Sequence, residues 1–131
     1  MKEIVGINHI GIRVSNLETA RKFYEQLGFE FLVGPIGPEP VAILKHPSGV
    51  TINLILNADS DLESNILMDV ADKYPGYTHM ALDVNNIKSV QKSIKELGIA
   101  ITEGPIKLPD GGEMFFIRDQ DRNVIEFHQN G

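Results

Sequence analysis

Hydrophobic and polar residues alternate along residues 7–14 of the chain. One set of alternate positions is aliphatic: Ile10, Ile12 and Val14. The other set is His9, Gly11 and Arg13. This period of two predicts a half-buried β-strand whose aliphatic side faces a core. Asn16 follows as a helix N-cap, and apolar residues at helical spacing predict an amphipathic helix that ends near Leu27, before Gly28.

The same pattern returns at an offset of 70 residues, the offset that separates His9 from His79. Residues 8–29 align with residues 78–99 without a gap, and several matched positions are identical. These include His9 with His79, Asn16 with Asn86, and Leu27-Gly28 with Leu97-Gly98. Beyond the aligned stretch, the same offset pairs Gly34-Pro35-Ile36 with Gly104-Pro105-Ile106. The chain therefore contains two copies of one structural unit.

Three strand-like runs follow the helix in each copy, separated by turn-forming residues such as Gly34-Pro35. The runs are residues 29–33, 41–45 and 50–56 in the first copy, and 99–102, 113–118 and 124–128 in the second. We therefore predict an α+β fold of two tandem β-α-β-β-β modules within a single domain, residues 1–131. Module 1 covers about residues 4–57, a connector residues 58–75 and module 2 residues 76–131. The connector is predicted to hold one short helix from about Leu62 to Ala71.

The composition and charge of the chain exclude several classes of protein and of binding site. The chain has 131 residues, a formal net charge of −6 and no cysteine. Its scattered Lys and Arg residues argue against a nucleic-acid partner, and the missing cysteines exclude disulfides and thiolate metal sites. No apolar run approaches the roughly 20 residues of a membrane span, and the first residues lack a signal-peptide pattern. We expect a cytoplasmic protein with no membrane partner.

Strand parity places three metal-binding side chains on the side of the sheets that faces away from the helices. His9 and His79 occupy the polar positions of the two first strands. In the last strand, Ile125 and Phe127 are assigned to the helix side, so Glu126 points with the histidines. Two imidazoles and one carboxylate form an open site for one divalent metal, which could be Fe, Ni, Zn, Co or Mn.

These segments resemble the vicinal oxygen chelate superfamily, which includes glyoxalase I, extradiol dioxygenases, and fosfomycin and bleomycin resistance proteins. The resemblance extends over nearly the whole chain except the connector. It is carried by four segments: Ile7-Asn8-His9-Ile10-Gly11-Ile12, Phe23–Phe29, Thr78-His79-Met80-Ala81 and Asn123-Val124-Ile125-Glu126-Phe127. It implies the glyoxalase/bleomycin resistance/dihydroxybiphenyl dioxygenase fold.

The resemblance also implies metal ligands on the first and last strands of each module. His9, His79 and Glu126 match three of these positions, and Asn53 falls at the fourth. Glyoxalase I-like members place Glu there and epimerase-like members can place Gln, so Asn is a departure. Its amide oxygen is able to bind a cation but cannot accept a proton as a base. Ligation by Asn53 and a simple polar lining role both remain open.

For function, the resemblance implies a glyoxalase family enzyme, similar to lactoylglutathione lyase, that acts as a lyase or isomerase on a small oxygenated metabolite. Glu126 is the candidate catalytic residue for proton transfer. One alternative is an extradiol-type dioxygenase or a fosfomycin-type thiol transferase, since neither requires a carboxylate at Asn53. A third possibility is a non-catalytic binding protein similar to the bleomycin resistance members.

Two further residues are candidates for substrate binding, and the resemblance implies a homodimer. Arg13 shares the face of His9 and is a candidate partner for a substrate anion, although a surface ion pair is the alternative. Tyr77 shares the parity of His79 and could donate a hydrogen bond, although a packed aromatic is equally compatible. A metal site completed within one chain and a site shared between two chains both remain open.

Overall fold

The computed structural model describes residues 1–59 and 63–131. The chain divides into two compact units, Met1–Asp61 and Leu62–Gly131. Each unit contains a four-stranded sheet and one helix, and each is described by itself below. The predicted α+β fold with two tandem β-α-β-β-β modules is confirmed.

In the first unit, strand and helix order follows the predicted pattern. The elements are β1 (Ile10–Arg13), α1 (Leu17–Gln26), β2 (Glu30–Ile36), β3 (Val41–Lys45) and β4 (Thr51–Ile55). The sheet order is β1-β4-β3-β2, in which β1 and β4 are parallel and the other pairs are antiparallel. The side chain of Asn16 accepts the backbone N–H of Thr19 at 2.9 Å, which caps the start of α1.

The second unit repeats this topology. Its elements are β5 (His79–Asp83), α2 (Ile87–Glu96), β6 (Glu103–Lys107), β7 (Glu113–Arg118) and β8 (Val124–Gln129). The sheet order is β5-β8-β7-β6, again with one parallel pair, β5 and β8. Asn86 caps α2 by accepting the backbone N–H of Ser89 at 3.0 Å, so the predicted duplication extends to the helix caps.

Two sequence predictions about strand bounds are wrong. The strand expected at residues 99–102 begins only at Glu103, and Gly34-Pro35 lies inside β2 and not in a turn after it. Both strands are irregular at their Gly-Pro pair, because the register with the neighbouring strand shifts there. A shift of this kind accommodates Pro, which has no N–H to donate to the partner strand.

Gly34 also explains why this irregular stretch stays in the sheet. A side-chain carbon at this position would lie 2.5 Å from the Cα of Ala42 on β3, and the backbone φ angle is +136°. Only glycine permits both that close approach and that conformation. The Gly-Pro signal that suggested a turn therefore marks a strand bulge.

The helix predicted in the connector is also wrong for the described residues. Leu62 lies outside them, and residues 63–75 contain only turns and bends. The Asn65 side chain accepts the backbone N–H groups of Leu67 and Met68, which holds a single turn. Arg118 binds Asp69 through two hydrogen bonds of 2.7 and 2.9 Å, so side-chain bonds fix this segment to the second unit.

One side of each sheet packs against its helix, and this side supplies most of the core. In the first unit the fully buried side chains include Val14, Ala20, Tyr24, Ala42, Leu44, Ile52 and Leu54. In the second unit the buried set includes Met80, Ile94, Phe115, Ile117, Ile125 and Phe127. Among the described residues, neither helix has the length and apolar character needed to cross a bilayer.

A carboxylate joins α2 to its sheet in the second unit. Glu113 at the start of β7 is only 3% exposed, and its oxygens accept from Lys88, Gln91 and Lys107 at 2.8, 2.6 and 2.8 Å. The hydrogen bonds from Lys107, Lys88 and Gln91 lower the pKa of Glu113 from 4.5 to about 2. Lys88 and Gln91 of α2 therefore donate to a carboxylate that stays charged at neutral pH.

The first prediction concerns the core of the first unit. Leu54 on β4 is fully buried, whereas Leu32 on β2 is 55% exposed. Leu54→Ala should lower the free energy of unfolding by about 2–5 kcal/mol, because it leaves a cavity in the core. Leu32→Ala, the matched control, should change it by less than about 0.5 kcal/mol. Urea denaturation measures both, and equal losses would contradict the assigned core side.

The second prediction concerns acid stability. The folded-state pKa of Glu113 is lowered, so its contribution is complete above about pH 4.5 and is lost as the pH falls towards about 2. Glu113→Gln should therefore be less stable than wild type at neutral pH, and this difference should shrink across that range. Denaturation midpoints at several pH values test this. The control Glu96→Gln, an exposed carboxylate, should show no comparable trend.

Candidate functional site

The side of each sheet that faces away from its helix is here called its open face. On the first open face, the strand register aligns Gly11 and Ile43 with Asn53. On the second, it aligns Ala81 and Phe116 with Glu126. Asn53 and Glu126 therefore occupy equivalent places in the two units.

His79 and Glu126 meet on the second open face. The Nε2 atom of His79 lies 2.9 Å from Oε2 of Glu126. Glu126 is 6% exposed, while the side chain of His79 is one-third exposed. Since an ionised carboxylate only accepts hydrogen bonds, Nε2 of His79 donates to it. The buried carboxylate thus has a partner that is itself reached by solvent.

The other oxygen of the Glu126 carboxylate is bound by His128. The Nδ1 atom of His128 donates to Oε1 of Glu126 at 2.8 Å. This hydrogen bond raises the pKa of His128. The two residues lie two positions apart on β8 and so share a face of the sheet. Both carboxylate oxygens are therefore held, one by each histidine.

His9 lies directly before β1 and His79 begins β5, and in both cases the preceding residue binds the Nδ1 atom of the ring. Asn8 contacts His9 through Oδ1 at 2.8 Å, and Thr78 contacts His79 through Oγ1 at the same distance. A partner at Nδ1 fixes the ring orientation and leaves Nε2 as the nitrogen available to a second partner, which for His79 is Glu126. The two units thus present their histidines in the same way, with different side chains.

An aromatic residue lies beside the histidine and carboxylate on the second open face. The ring of Phe116 meets the His79 ring edge to face, with centroids 5.6 Å apart. Phe116 is also the strand neighbour of Glu126 and is 8% exposed. It packs against the pair and contributes to shielding the carboxylate from water.

The predicted substrate-binding residues have different surroundings. Arg13 donates to Oδ1 of Asn57 at 2.9 Å and pairs with Glu39 at 3.4 Å. Within the first unit, Arg13 thus forms a surface ion pair, which was the alternative to substrate binding. Tyr77 is fully exposed, so it is not packed in its unit. Asn53 is partly exposed on the first open face.

Of the predicted metal ligands, the structure brings His79 and Glu126 into contact within the second unit. His9 lies in the first unit, exposed and bound to Asn8. Across residues 1–59 and 63–131, no three His, Asp or Glu side chains gather in an arrangement that could hold a metal ion. The site as described thus consists of one imidazole–carboxylate pair with its supporting residues.

Sequence reasoning missed the role of His128. Its separation from Glu126, two residues along the last strand, was the available signal, because such side chains lie on the same face. Phe116 was missed as well, since strand register across β7 and β8 is needed to place it beside Glu126.

Comparison with protein families gives one match along nearly the whole chain. A sequence model of the Glyoxalase/Bleomycin resistance protein/Dioxygenase superfamily matches residues 6–127. The match includes His9, His79, Asn53 and Glu126, and it ends before His128.

Solved structures similar to this chain share its fold. One is a glyoxylase/bleomycin resistance protein/dioxygenase domain from Frankia sp. EAN1pec, with 20% identity and a TM-score of 0.76, covering 98% of this chain and 100% of that one. Another is TnmS3, an antibiotic binding protein from Streptomyces sp. CB03234, with 22% identity, a TM-score of 0.75 and 98% coverage of both chains.

A third is a mutant of the fosfomycin resistance protein FosX from Listeria monocytogenes, in complex with Mn(II) and 1S,2S-dihydroxypropylphosphonic acid. It is 16% identical with a TM-score of 0.72, and the match covers 98% of this chain and 94% of that one. At these identities the similarity establishes the fold.

Proposed function

This chain belongs to the glyoxalase/bleomycin resistance protein/dioxygenase superfamily, and on that premise we propose that it is a metal-dependent enzyme of the glyoxalase type. It acts as a lyase or isomerase on a small oxygenated metabolite. The observation that carries this proposal is the contact between His79 and Glu126, a buried carboxylate beside a partly exposed imidazole.

The donor atoms fit a divalent metal. Nε2 of His79 and Oε2 of Glu126 are 2.9 Å apart, and imidazole nitrogen and carboxylate oxygen are both common ligands of divalent metals. His79 would bind the ion through Nε2 after that nitrogen gives up its proton. His9 is the proposed third ligand, because Asn8 occupies its Nδ1 and leaves Nε2 for the metal. Asn53 is a fourth candidate.

The identity of the metal stays open among Fe, Ni, Zn, Co and Mn, all of which accept imidazole and carboxylate ligands. The complex of the FosX mutant with Mn(II) makes manganese a sensible first choice for experiments. When bound, a divalent ion of this kind stabilises negative charge that develops on a substrate oxygen.

Glu126 is the proposed proton-transfer residue. Its carboxylate lies on the open face, and Oε2 is directed towards the solvent-accessible ring of His79. Asn53 occupies the equivalent place in the first module, but an amide cannot take up a proton as a base. A mechanism that divides proton transfer between two carboxylates is therefore disfavoured, and Glu126 carries that step alone.

A fosfomycin-type resistance activity is the second candidate, favoured by Asn53. Such a reaction opens a substrate with an added nucleophile and needs no carboxylate at that position. The fold similarity to FosX supports including it, and similarity to TnmS3 supports testing non-catalytic antibiotic binding as well. Assays of the metal-loaded protein with hemithioacetals, catechols and fosfomycin separate these functions.

We also propose that the chain forms a homodimer. Three apolar residues on β2, the outer strand of the first sheet, are at least two-fifths exposed: Leu32, Val33 and Ile36. Apolar side chains along a sheet edge are commonly covered by another chain, and twofold dimers are the commonest assembly of identical chains.

The third prediction is that His9 and His79 are both required for metal binding. Each of His9→Ala and His79→Ala should lose stoichiometric metal and activity, because three ligands are needed to retain the ion. In the metal-free protein, His9→Ala should change the unfolding free energy by less than about 1 kcal/mol, since that side chain is exposed. His79→Ala also removes a hydrogen bond to the buried Glu126 carboxylate and should cost about 1–3 kcal/mol. Elemental analysis and Mn(II) titration measure the binding.

His46→Ala is the matched control, since His46 lies outside the proposed site and packs on Phe29. It should keep wild-type metal content. A wild-type protein that takes up no Fe, Ni, Zn, Co or Mn would contradict the metal-dependent function and favour simple binding.

The fourth prediction tests whether the metal site is shared between chains. His9→Ala and Glu126→Ala chains are each expected to be inactive. In a shared site, mixing them after partial unfolding and refolding should restore up to about half of the sites in mixed dimers, because one site then contains all native ligands. Sedimentation establishes the dimer first. A monomer with full metal content would contradict both the dimer and the shared site.

A further inference from the structure

We infer that His128 is a positioning residue that holds the Glu126 carboxylate ready to bind the metal. This inference rests on the proposed metal site and adds to it a residue outside the ligand set. Nδ1 of His128 donates to Oε1 of Glu126 at 2.8 Å. Oε2 is thereby left facing His79, at 2.9 Å from its Nε2.

The hydrogen bond acts on a side chain that otherwise has considerable freedom. A glutamate side chain loses rotational freedom about several bonds when it is fixed, and this loss of conformational entropy opposes metal binding. His128 restricts the carboxylate before the ion arrives, since both residues extend from the same face of β8. Partners of this kind orient ligating carboxylates, and their removal weakens metal binding.

Comparison of the two modules supports the assignment. In the second sheet, Asp83 aligns with His128. In the first sheet, the corresponding pair is Arg13 and Ile55, so Ile55 stands where His128 would be. Ile55 has no group to donate, and its neighbour two positions earlier is Asn53. The hydrogen-bond donor is thus present in the module that has a carboxylate and absent from the one that lacks it.

The surroundings of His128 make it suitable for this role. Its side chain is 28% exposed, while that of Glu126 is 7% exposed. The donor is thus partly exposed to solvent, whereas the carboxylate that it binds is buried. Because His79 contacts the opposite oxygen, an ion that binds Oε2 and His79 leaves the bond between His128 and Oε1 in place.

The fifth prediction follows from this geometry. His128→Leu removes the donor, whereas His128→Asn keeps an N–H near the position of Nδ1. Titration of the metal-free protein with Mn(II), followed by electron paramagnetic resonance of the free ion, should show a Kd about 10–100-fold higher for His128→Leu. His128→Asn should stay within a few-fold of wild type. Metal-free His128→Leu should unfold at a lower denaturant midpoint than wild type, because one of the two hydrogen bonds to a buried carboxylate is lost, so the titrations are made without denaturant, where all three proteins should be folded.

The control is His46→Leu, which removes a histidine that contacts Ser48 in the other module, and it should bind Mn(II) as wild type does. If His128→Leu does not fold, His128→Ala gives the same comparison. Wild-type affinity in His128→Leu, or equal weakening in His128→Asn, would overturn the inference and leave the metal site standing. A wild-type protein that does not bind Mn(II) or the other candidate metals would overturn both.

Discussion

The packing of one helix against one side of each sheet is the constraint on which the rest of the structure depends. Side chains along a strand point alternately to the two sides of the sheet. When one set of alternate residues packs against the helix, the other set lies on the opposite side. Ile12 and Leu54 are buried on the first sheet in this way, and Phe115 and Ile125 on the second. The open faces do not pack against the helices, although Phe116 and Val124 are buried on the second one. These faces are the places where histidine and carboxylate side chains can be held without disturbing the fold.

This constraint explains which features the sequence predicted well. Parity within a strand needs only the local pattern, so the side of His79 and of Glu126 could be assigned before any register was available. Relations between strands could not be obtained in the same way. Phe116 lies beside Glu126 because of the pairing between β7 and β8, and the Gly34-Pro35 bulge depends on close approach to β3. The predicted connector helix was wrong for a related reason. Residues of this segment bind side chains far along the chain, as Asp69 binds Arg118, and a local pattern does not show such contacts.

The two modules share a backbone plan but have diverged in the side chains that carry chemistry. Glu126 and His128 of the second module are replaced by Asn53 and Ile55 at the equivalent register. The second module also has the charged cluster around Glu113 that binds α2. The two modules are therefore alike in having apolar residues on the side of each sheet that packs against the helix. They differ in the side chains on their open faces. The Glu126 carboxylate and the His128 group that donates to it occur together in one module.

The pairing of Glu126 also explains how a buried carboxylate is tolerated on an open face. A buried charge without hydrogen bonds would be costly, because it loses its hydration and gains nothing in return. Here each oxygen accepts from a different histidine, and the aromatic ring of Phe116 packs alongside. Removal of one histidine leaves the carboxylate with a single partner, so the two histidines act together in stabilising it. Metal binding at Oε2 would exchange one of these partners for an ion and leave the other in place. Under the proposed ligand role, the Glu126 carboxylate therefore keeps a hydrogen-bond donor at Oε1 both before and after the ion binds.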